Sequence, residues 1–165
     1  LQELNILDKQ KLKEELFKCC GSATWVDKMI KIFPVKKEST LLRKAEKIWN
    51  TCDEKDWLEA FSHHPKIGDT ESLKKKFAST AEWASGEQSG VTTASEKIIE
   101  ELAEGNQLYE KKFGHIFIVC ATGKSAEEML AILEERLLNT RDEEILIAMS
   151  EQNKITRLRL EKLLS

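Results

Sequence analysis

The chain has 165 residues, 41% of them hydrophobic, which is enough for one domain with a real core and too short to expect two. Its 26 Lys and Arg alternate with 29 Asp and Glu, and this pattern, with a net charge of −3, argues against nucleic acid as a partner. No apolar stretch reaches membrane-spanning length and no signal segment opens the chain, so we expect no membrane partner and a cytoplasmic protein. Because the sequence begins at Leu1 without a methionine, a targeting signal outside it, such as a peroxisomal one, stays open.

Hydrophobic residues recur every three or four positions, interrupted by only seven glycines and two prolines. This period predicts an all-α fold, a single-domain bundle of about seven or eight helices over residues 1–165. We expect Trp25, Trp49 and Trp57 to anchor its core. The helices predicted in the first part of the chain are one capped by Asp8 and ended by Gly21, one from about Thr24 to Phe33, one opened by Ser39, and one from Asp56 to His63.

The second part of the chain is less regular. From Lys66 to Val91 the hydrophobic period is lost, and this segment is long for a loop without a function. Thr93 and Glu96 have the spacing of a capping box, which predicts a long helix ending near Phe113. Residues 115–121 favour β-structure but have no partner of comparable strength, so we expect one short extended segment. Two last helices are predicted, from Ser125 to about Asn139 and from a capping box at Thr140 and Glu143 to Leu164.

The segment Phe61-Ser62-His63-His64-Pro65 places two of the three histidines at a helix exit. Proline fixes its own φ and disfavours helical backbone in the residue before it, so we expect His64 in a defined extended conformation just past the helix. Histidine titrates near neutral pH, which suits a general acid or base. The alternative is that His63 and His64 simply end the helix, because cationic side chains are favourable at a helix C-terminus.

Cysteine spacing indicates neither a metal site nor a disulfide. The four cysteines are Cys19, Cys20, Cys52 and Cys120. Neighbouring Cys19 and Cys20 cannot readily bridge each other, and we expect four reduced thiols, most of them packed as small hydrophobic residues. A zinc site on His63, His64 and His115 is not expected either, because adjacent histidines point apart and no second ligand pair has helical spacing.

Two polar features stand out elsewhere. In the irregular segment, Glu87 and Gln88 are flanked by Ser and Gly, and a carboxylate beside an amide matches the hydrogen-bonding edge of a urea-like or imide-like ligand. An ordinary exposed turn is the alternative. In the last helix, Arg159 falls within a predicted inner stripe and Arg157 toward its edge, so the Arg159 guanidinium needs a carboxylate from the protein or from a ligand. The predicted stripe consists of Ile145, Met149, Ile155 and Leu163.

Together these motifs resemble those of the 2-oxo-4-hydroxy-4-carboxy-5-ureidoimidazoline (OHCU) decarboxylases, which make (S)-allantoin late in urate breakdown. The resemblance implies a cofactor-free, metal-free, all-helical enzyme. The matching elements, in family order, are His64-Pro65, Glu87-Gln88-Ser89, Phe113-Gly114, residues 117–121, Asn139-Thr140-Arg141, Lys154-Ile155 and Leu158-Arg159.

The resemblance also implies the site. His64 would be the catalytic proton shuttle, Glu87 would orient His64 or the ureido group, and Arg159 would bind a substrate oxygen. The other implied substrate-binding residues are Pro65, Ala84, Ser85, Gly86 and Gln88, together with Phe117, Ile118, Val119, Cys120 and Ala121, whose backbone groups we expect to be free. Ala84 stands where the family often has serine.

The implied partner is a small-molecule ureidoimidazoline. A homodimer, and association or fusion with the upstream hydroxyisourate hydrolase, are left open. Two other functions are compatible with the same residues: a non-catalytic helical interaction module, and a hydrolase of the same pathway in which His64 and Glu87 activate water.

Overall fold

The structure is a computed structural model, and it describes residues 1–65, 69–75, 77 and 89–165, with the backbone alone for 89–95. Within these ranges the chain contains helices and no strand, which confirms the all-α prediction. Residues 70–75 also have helical backbone. The eight helices with defined bounds are α1 (Gln2–Ile6), α2 (Lys9–Cys19), α3 (Ala23–Ile30), α4 (Glu38–Asn50), α5 (Glu54–Ser62), α6 (Ser89–Phe113), α7 (Ala126–Arg136) and α8 (Arg141–Leu164). None of the described helices is long and apolar enough to cross a membrane.

The chain forms two compact units. The first comprises Leu1–His64, Ile118–Cys120 and Ile145–Ser165, and the second comprises Pro65–Phe117 and Ala121–Glu144. Each unit is therefore built from segments that are distant in sequence.

Two tryptophans anchor the core of the first unit, as predicted. Trp25 and Trp49 are almost fully buried, whereas Trp57 is half-buried. The Trp25 indole N–H donates to the carbonyl oxygen of Ala45 (3.1 Å), and that of Trp49 donates to the carbonyl oxygen of Met149 (2.8 Å). Both buried N–H groups thus have acceptors, and the indoles tie neighbouring helices together.

Capping side chains set where the helices of the first unit begin. Asp8 caps α2 by accepting from the Lys11 N–H (2.9 Å), as predicted. Helix α3 begins at Ala23, one residue before the prediction, because Ser22 accepts from the Trp25 N–H. Helix α5 begins at Glu54, two residues early, because Asp53 and Asp56 form a reciprocal capping box that the sequence analysis overlooked.

Helix α3 ends at Ile30, short of the predicted Phe33. Beyond the C-cap Lys31, the N–H groups of Ile32 and Phe33 donate to the carbonyls three residues earlier, those of Met29 and Ile30. Such tight i+3 turns commonly follow the last α-helical residue, and Pro34 disfavours helical backbone at Phe33.

Two predictions for the second unit are wrong. Helix α6 begins at Ser89, so Thr93 and Glu96 lie inside the helix and do not cap it. The segment predicted to be irregular contains helical backbone at 70–75, where Asp69 accepts from the Ser72 N–H (2.7 Å). Helices α6 and α7 pack closely, and a β-carbon on Gly105 would lie 2.5 Å from a methyl carbon of Leu133.

Helix α8 has a different buried face from the predicted one. The capping box at Thr140 and Glu143 is confirmed, with both side-chain to backbone hydrogen bonds present. However, the predicted stripe residues Met149, Ile155 and Leu163 are only half-buried. The residues that are buried along this helix are Glu144, Ile145, Ala148, Gln152, Thr156 and Leu160. The buried face of α8 is therefore partly polar. The prediction considered mainly apolar residues and placed this face about one residue away along the helix.

Candidate functional site

His64 lies just beyond the end of α5, as predicted. Helix α5 ends at Ser62, His63 is its C-cap with φ −89° and ψ −1°, and the His64 N–H donates to the carbonyl oxygen of Phe61 (3.2 Å). The His64 side chain is half-buried. An imidazole in this position is held by the helix end while remaining partly open to solvent.

The neighbouring histidine has a different environment. His63 is exposed, and its ring meets the ring of Phe17 edge-on at a centroid distance of 4.9 Å. Gly21 lies against it, and a β-carbon on Gly21 would stand 2.6 Å from the His63 β-carbon. Gly21 does not have positive φ, so this close approach explains the glycine better than the predicted helix stop, and α2 ends earlier, at Cys19.

His64 has a buried polar partner that the sequence analysis missed. Its Nε2 lies 2.5 Å from Oε1 of Gln152, whose side chain is 0% exposed. The Gln152 amide nitrogen in turn donates to Oγ1 of Thr156 (3.1 Å). A usable signal was present in the sequence, since Gln152 and Thr156 interrupt an otherwise apolar stripe at helical spacing, and buried polar side chains need partners.

The environment of His64 favours the neutral imidazole. Burial is the main cause that lowers the pKa of His64 below its ordinary value, and the electrostatic interactions with Arg159 and His63 act in the same direction. The hydrogen bond with Gln152 opposes the shift. A neutral imidazole at neutral pH can accept a proton and later return it.

Arg159 is half-buried, on the same side of α8 as Gln152, seven residues or about two turns away. Its Nη1 donates to the carbonyl oxygen of Lys18 at the end of α2 (3.4 Å). Among the described residues no carboxylate forms an ion pair with Arg159. Arg157, by contrast, is exposed and pairs with Glu161 (3.0 Å). Arg159 is thus more buried than Arg157, as the helical phase predicted.

The segment at 117–121 is less free than expected. Residues 116–121 form neither helix nor strand, and Ile118 is buried (2% exposed). The Cys120 N–H donates to Oε1 of Glu151 (3.3 Å), and the carbonyl oxygen of Ala121 accepts from the Lys124 N–H (3.1 Å). The expectation that all these backbone groups are free is therefore wrong. Val119 is half-buried.

In the second unit the structure buries another guanidinium, that of Arg136, which is 5% exposed. Its Nε donates to Oε1 of Glu144 (2.6 Å), which also accepts from the Tyr109 hydroxyl (2.5 Å). Asn139 donates to the other Glu144 oxygen (3.0 Å). Arg136 also lies over the ring of Phe117, 4.7 Å from its centroid. This network was not predicted from the sequence, because helical phasing pointed to Arg159 in α8 as the buried arginine.

The remaining predicted residues are distributed as follows. Pro65 is exposed and begins the second unit. Ala84, Ser85, Gly86, Glu87 and Gln88 lie outside the described residues.

All four cysteines are free, as predicted, and burial raises the pKa of Cys20 to about 12. In the part of the chain that the structure describes, no three His, Cys, Asp or Glu residues are grouped so that they could hold a metal ion.

Comparison with known proteins identifies the relatives of this chain. Residues 5–161 match the family model described as OHCU decarboxylase. The chain is 42% identical over 149 residues to the uric acid degradation bifunctional protein TTL of Arabidopsis thaliana, covering 89% of this chain and 45% of the relative. It is 27% identical over 161 residues to the bifunctional protein PucL of Bacillus subtilis (strain 168), covering 97% of this chain and 32% of the relative. The chain thus spans less than half the length of these two relatives.

A solved structure supports the same relationship. A crystal structure of OHCU decarboxylase in the presence of (S)-allantoin superimposes on this chain with a TM-score of 0.71 and 40% sequence identity. The match covers 91% of this chain and 96% of the other. The likeness therefore extends over nearly the whole fold.

Proposed function

Because the chain belongs to the OHCU decarboxylase family, we propose that it catalyses the cofactor-free decarboxylation of OHCU to (S)-allantoin in urate degradation. The observation that carries this proposal is the placement of His64. A half-buried imidazole with a lowered pKa lies at a helix end and interacts electrostatically with the charge of Arg159. A proton shuttle beside a cation that can hold a carboxylate or carbonyl oxygen suits this reaction.

The substrate itself supplies the electron sink. The carbon that bears the scissile carboxylate also bears a hydroxyl and adjoins a C=N bond, so the electron pair left by departing carbon dioxide moves into the ring. The ring nitrogen that receives this pair takes up one proton from solvent. The hydroxyl loses its proton as it becomes a carbonyl, and a proton must reach one face of the adjoining carbon to form the product stereocentre. The protein has to orient the carboxylate and move these protons.

Three residues would divide this work. His64 accepts the hydroxyl proton and delivers a proton to the ring carbon, which fixes the S configuration. Arg159 holds a substrate oxygen through its planar donor fork. Glu87 orients the ureido N–H groups or His64. Pro65, residues 84–88 and residues 117–121 complete the proposed substrate contacts, as the family resemblance implies.

The proposal extends to organisation and partners. We propose that residues 1–165 act as one OHCU decarboxylase-like domain, supported by a family match over residues 5–161. Association or fusion with a hydroxyisourate hydrolase is supported by the bifunctional relatives, of which this chain spans 45% and 32%. The homodimer and the cytoplasmic location stay predictions.

The test is to add freshly generated OHCU to the protein, without any cofactor, and to follow the circular dichroism of the product. We expect accelerated release of carbon dioxide and a product with the signal of (S)-allantoin. A racemic product formed at the spontaneous rate would reject the decarboxylase and favour the interaction module. A ring-opened product that retains its carboxylate would favour the hydrolase.

A further inference from the structure

Gln152 has no role in the proposed chemistry so far, yet it is the described residue most closely tied to His64. Its side chain is 0% exposed, and both ends of its amide are engaged. The oxygen lies 2.5 Å from Nε2 of His64, and the nitrogen donates to Oγ1 of Thr156. In the structure the amide therefore presents its acceptor to His64 and its donor to Thr156, and both of its polar ends are satisfied without water.

This orientation decides which nitrogen of His64 carries the proton. An amide oxygen can only accept, so Nε2 of His64 must be the donor in this short hydrogen bond. Neutral His64 is then the Nε2–H tautomer, with Nδ1 unprotonated. Protonation at Nδ1 leaves the bond to Gln152 intact, because the imidazolium still donates through Nε2. Gln152 is thus compatible with both charge states of a proton shuttle that works through Nδ1.

We infer that Gln152 is a positioning residue that fixes His64 as the Nε2–H tautomer and directs proton transfer to Nδ1. This inference rests on the proposed function for its catalytic meaning, but the tautomer exists whether or not the protein decarboxylates OHCU. Thr156 accepts from the amide nitrogen, which leaves the amide oxygen as the group that faces His64. The charged or titratable groups that act on the same imidazole are Arg159 on α8 and the adjacent His63.

The test begins with nitrogen-15 NMR of the protein without substrate, with the His64 signals assigned by their loss in His64→Asn. In the wild type above the pKa of His64, we expect Nε2 protonated and Nδ1 not. Gln152→Met keeps the length of the side chain and removes the acceptor, so we expect a mixture of tautomers. With OHCU as substrate, kcat should fall about tenfold or more while KM changes little.

A second variant gives a readout that a merely structural residue would not affect. Gln152→Glu retains an acceptor and adds a negative charge, so His64 should stay Nε2–H, its pKa should rise, and the acid limb of kcat against pH should move upward. Asn153→Met, at the half-buried neighbour on α8, is the matched control and should leave tautomer and kcat unchanged.

Three results would overturn the inference: a wild-type His64 protonated at Nδ1, an unchanged tautomer and kcat in Gln152→Met, or an unchanged His64 pKa in Gln152→Glu. If Gln152→Met does not fold, the tautomers of the wild type and of Gln152→Glu still decide the question, because both are read directly by NMR on folded protein. Failure of the wild type to turn over OHCU, with the tautomer as expected, would reject the proposed function and not the role of Gln152.

Discussion

Gly21 and His63 approach so closely that a β-carbon on Gly21 would stand 2.6 Å from the β-carbon of His63 and 2.9 Å from two of its ring carbons. The clash would involve an atom next to the backbone, which cannot turn away as the end of a long side chain can. We therefore expect Gly21→Ala to displace the end of α5, to destabilise the protein by about 1–3 kcal/mol, and to lower kcat by moving His64. Urea unfolding and OHCU turnover measure the two effects.

Gly105→Ala is the matched control, because its added carbon would meet Leu133 at 2.5 Å. That contact is with the methyl end of a leucine, which can move, and alanine gains about 1 kcal/mol of helix propensity over glycine. We expect a smaller change in stability and an unchanged kcat. Equal losses of kcat in the two variants would contradict the positional role of Gly21.

The two adjacent histidines should respond differently to substitution. His64→Asn removes the half-buried imidazole that bonds Gln152, and kcat should fall about a hundredfold or more, the usual scale for a positioned acid-base group. His63→Asn removes an exposed ring that packs on Phe17, so its effect should be mild. Steady-state kinetics on both variants decide the matter, and a larger loss at His63 would reverse the assignment.

Features of the fold and the site that depend on local chemistry were predictable from the sequence, whereas those that depend on distant partners were not. The His-Pro dipeptide located His64 past a helix, and the Thr140 and Glu143 capping box set the start of α8, because both depend on local backbone chemistry. Gln152 and Arg136 were missed because their burial depends on which faces meet in the folded chain. A polar residue on a buried stripe acquires its meaning only from a partner distant in sequence, as Gln152 does from His64.

The lowered pKa of His64 predicts how activity depends on pH. If His64 must begin neutral to accept the substrate proton, kcat/KM should fall as the pH drops through the folded pKa, which lies below the ordinary value of 6.5. The midpoint of this limb should agree with an NMR titration of His64. A limb above pH 6.5 would contradict the assignment.

Protonation of His64 and His115 should destabilise the folded protein. Burial lowers the pKa of both His64 and His115, so the unfolded chain binds these protons at a higher pH than the folded one. Stability should therefore decline as the pH falls from about 6.5 toward the folded pKa values, and level off below them. Urea unfolding across this range should show a smaller decline in His64→Asn, where only His115 contributes.

The buried pair of Arg136 and Glu144 should dominate the stability of the second unit. Glu144 is 0% exposed and accepts from Arg136, Tyr109 and Asn139, so Arg136→Leu would leave a buried carboxylate without its counterion. We expect a loss of about 3–5 kcal/mol, measured by urea unfolding. Arg157→Ala, which breaks only the exposed pair with Glu161, should cost about 0.5 kcal/mol or less. Similar costs for the two variants would show that the buried network contributes little.

Substitutions of the two arginines of α8 test whether Arg159 binds a ligand or only stabilises the fold. Arg159 is half-buried near His64, and its only hydrogen bond among the described residues goes to the Lys18 carbonyl oxygen at 3.4 Å, a long contact that leaves most of its donors available. Arg159→Ala should abolish binding of allantoin, measured by calorimetry, while Arg157→Ala should leave it largely intact.

Arg159→Lys keeps the charge but not the planar donor fork, so we expect weakened binding with little change in melting temperature. That variant distinguishes a ligand contact from a structural one, because a lysine could still reach the carbonyl oxygen of Lys18. If Arg159→Ala binds allantoin normally, or loses binding only in proportion to unfolded protein, then Arg159 serves to hold the end of α2 and another residue must bind the substrate oxygen.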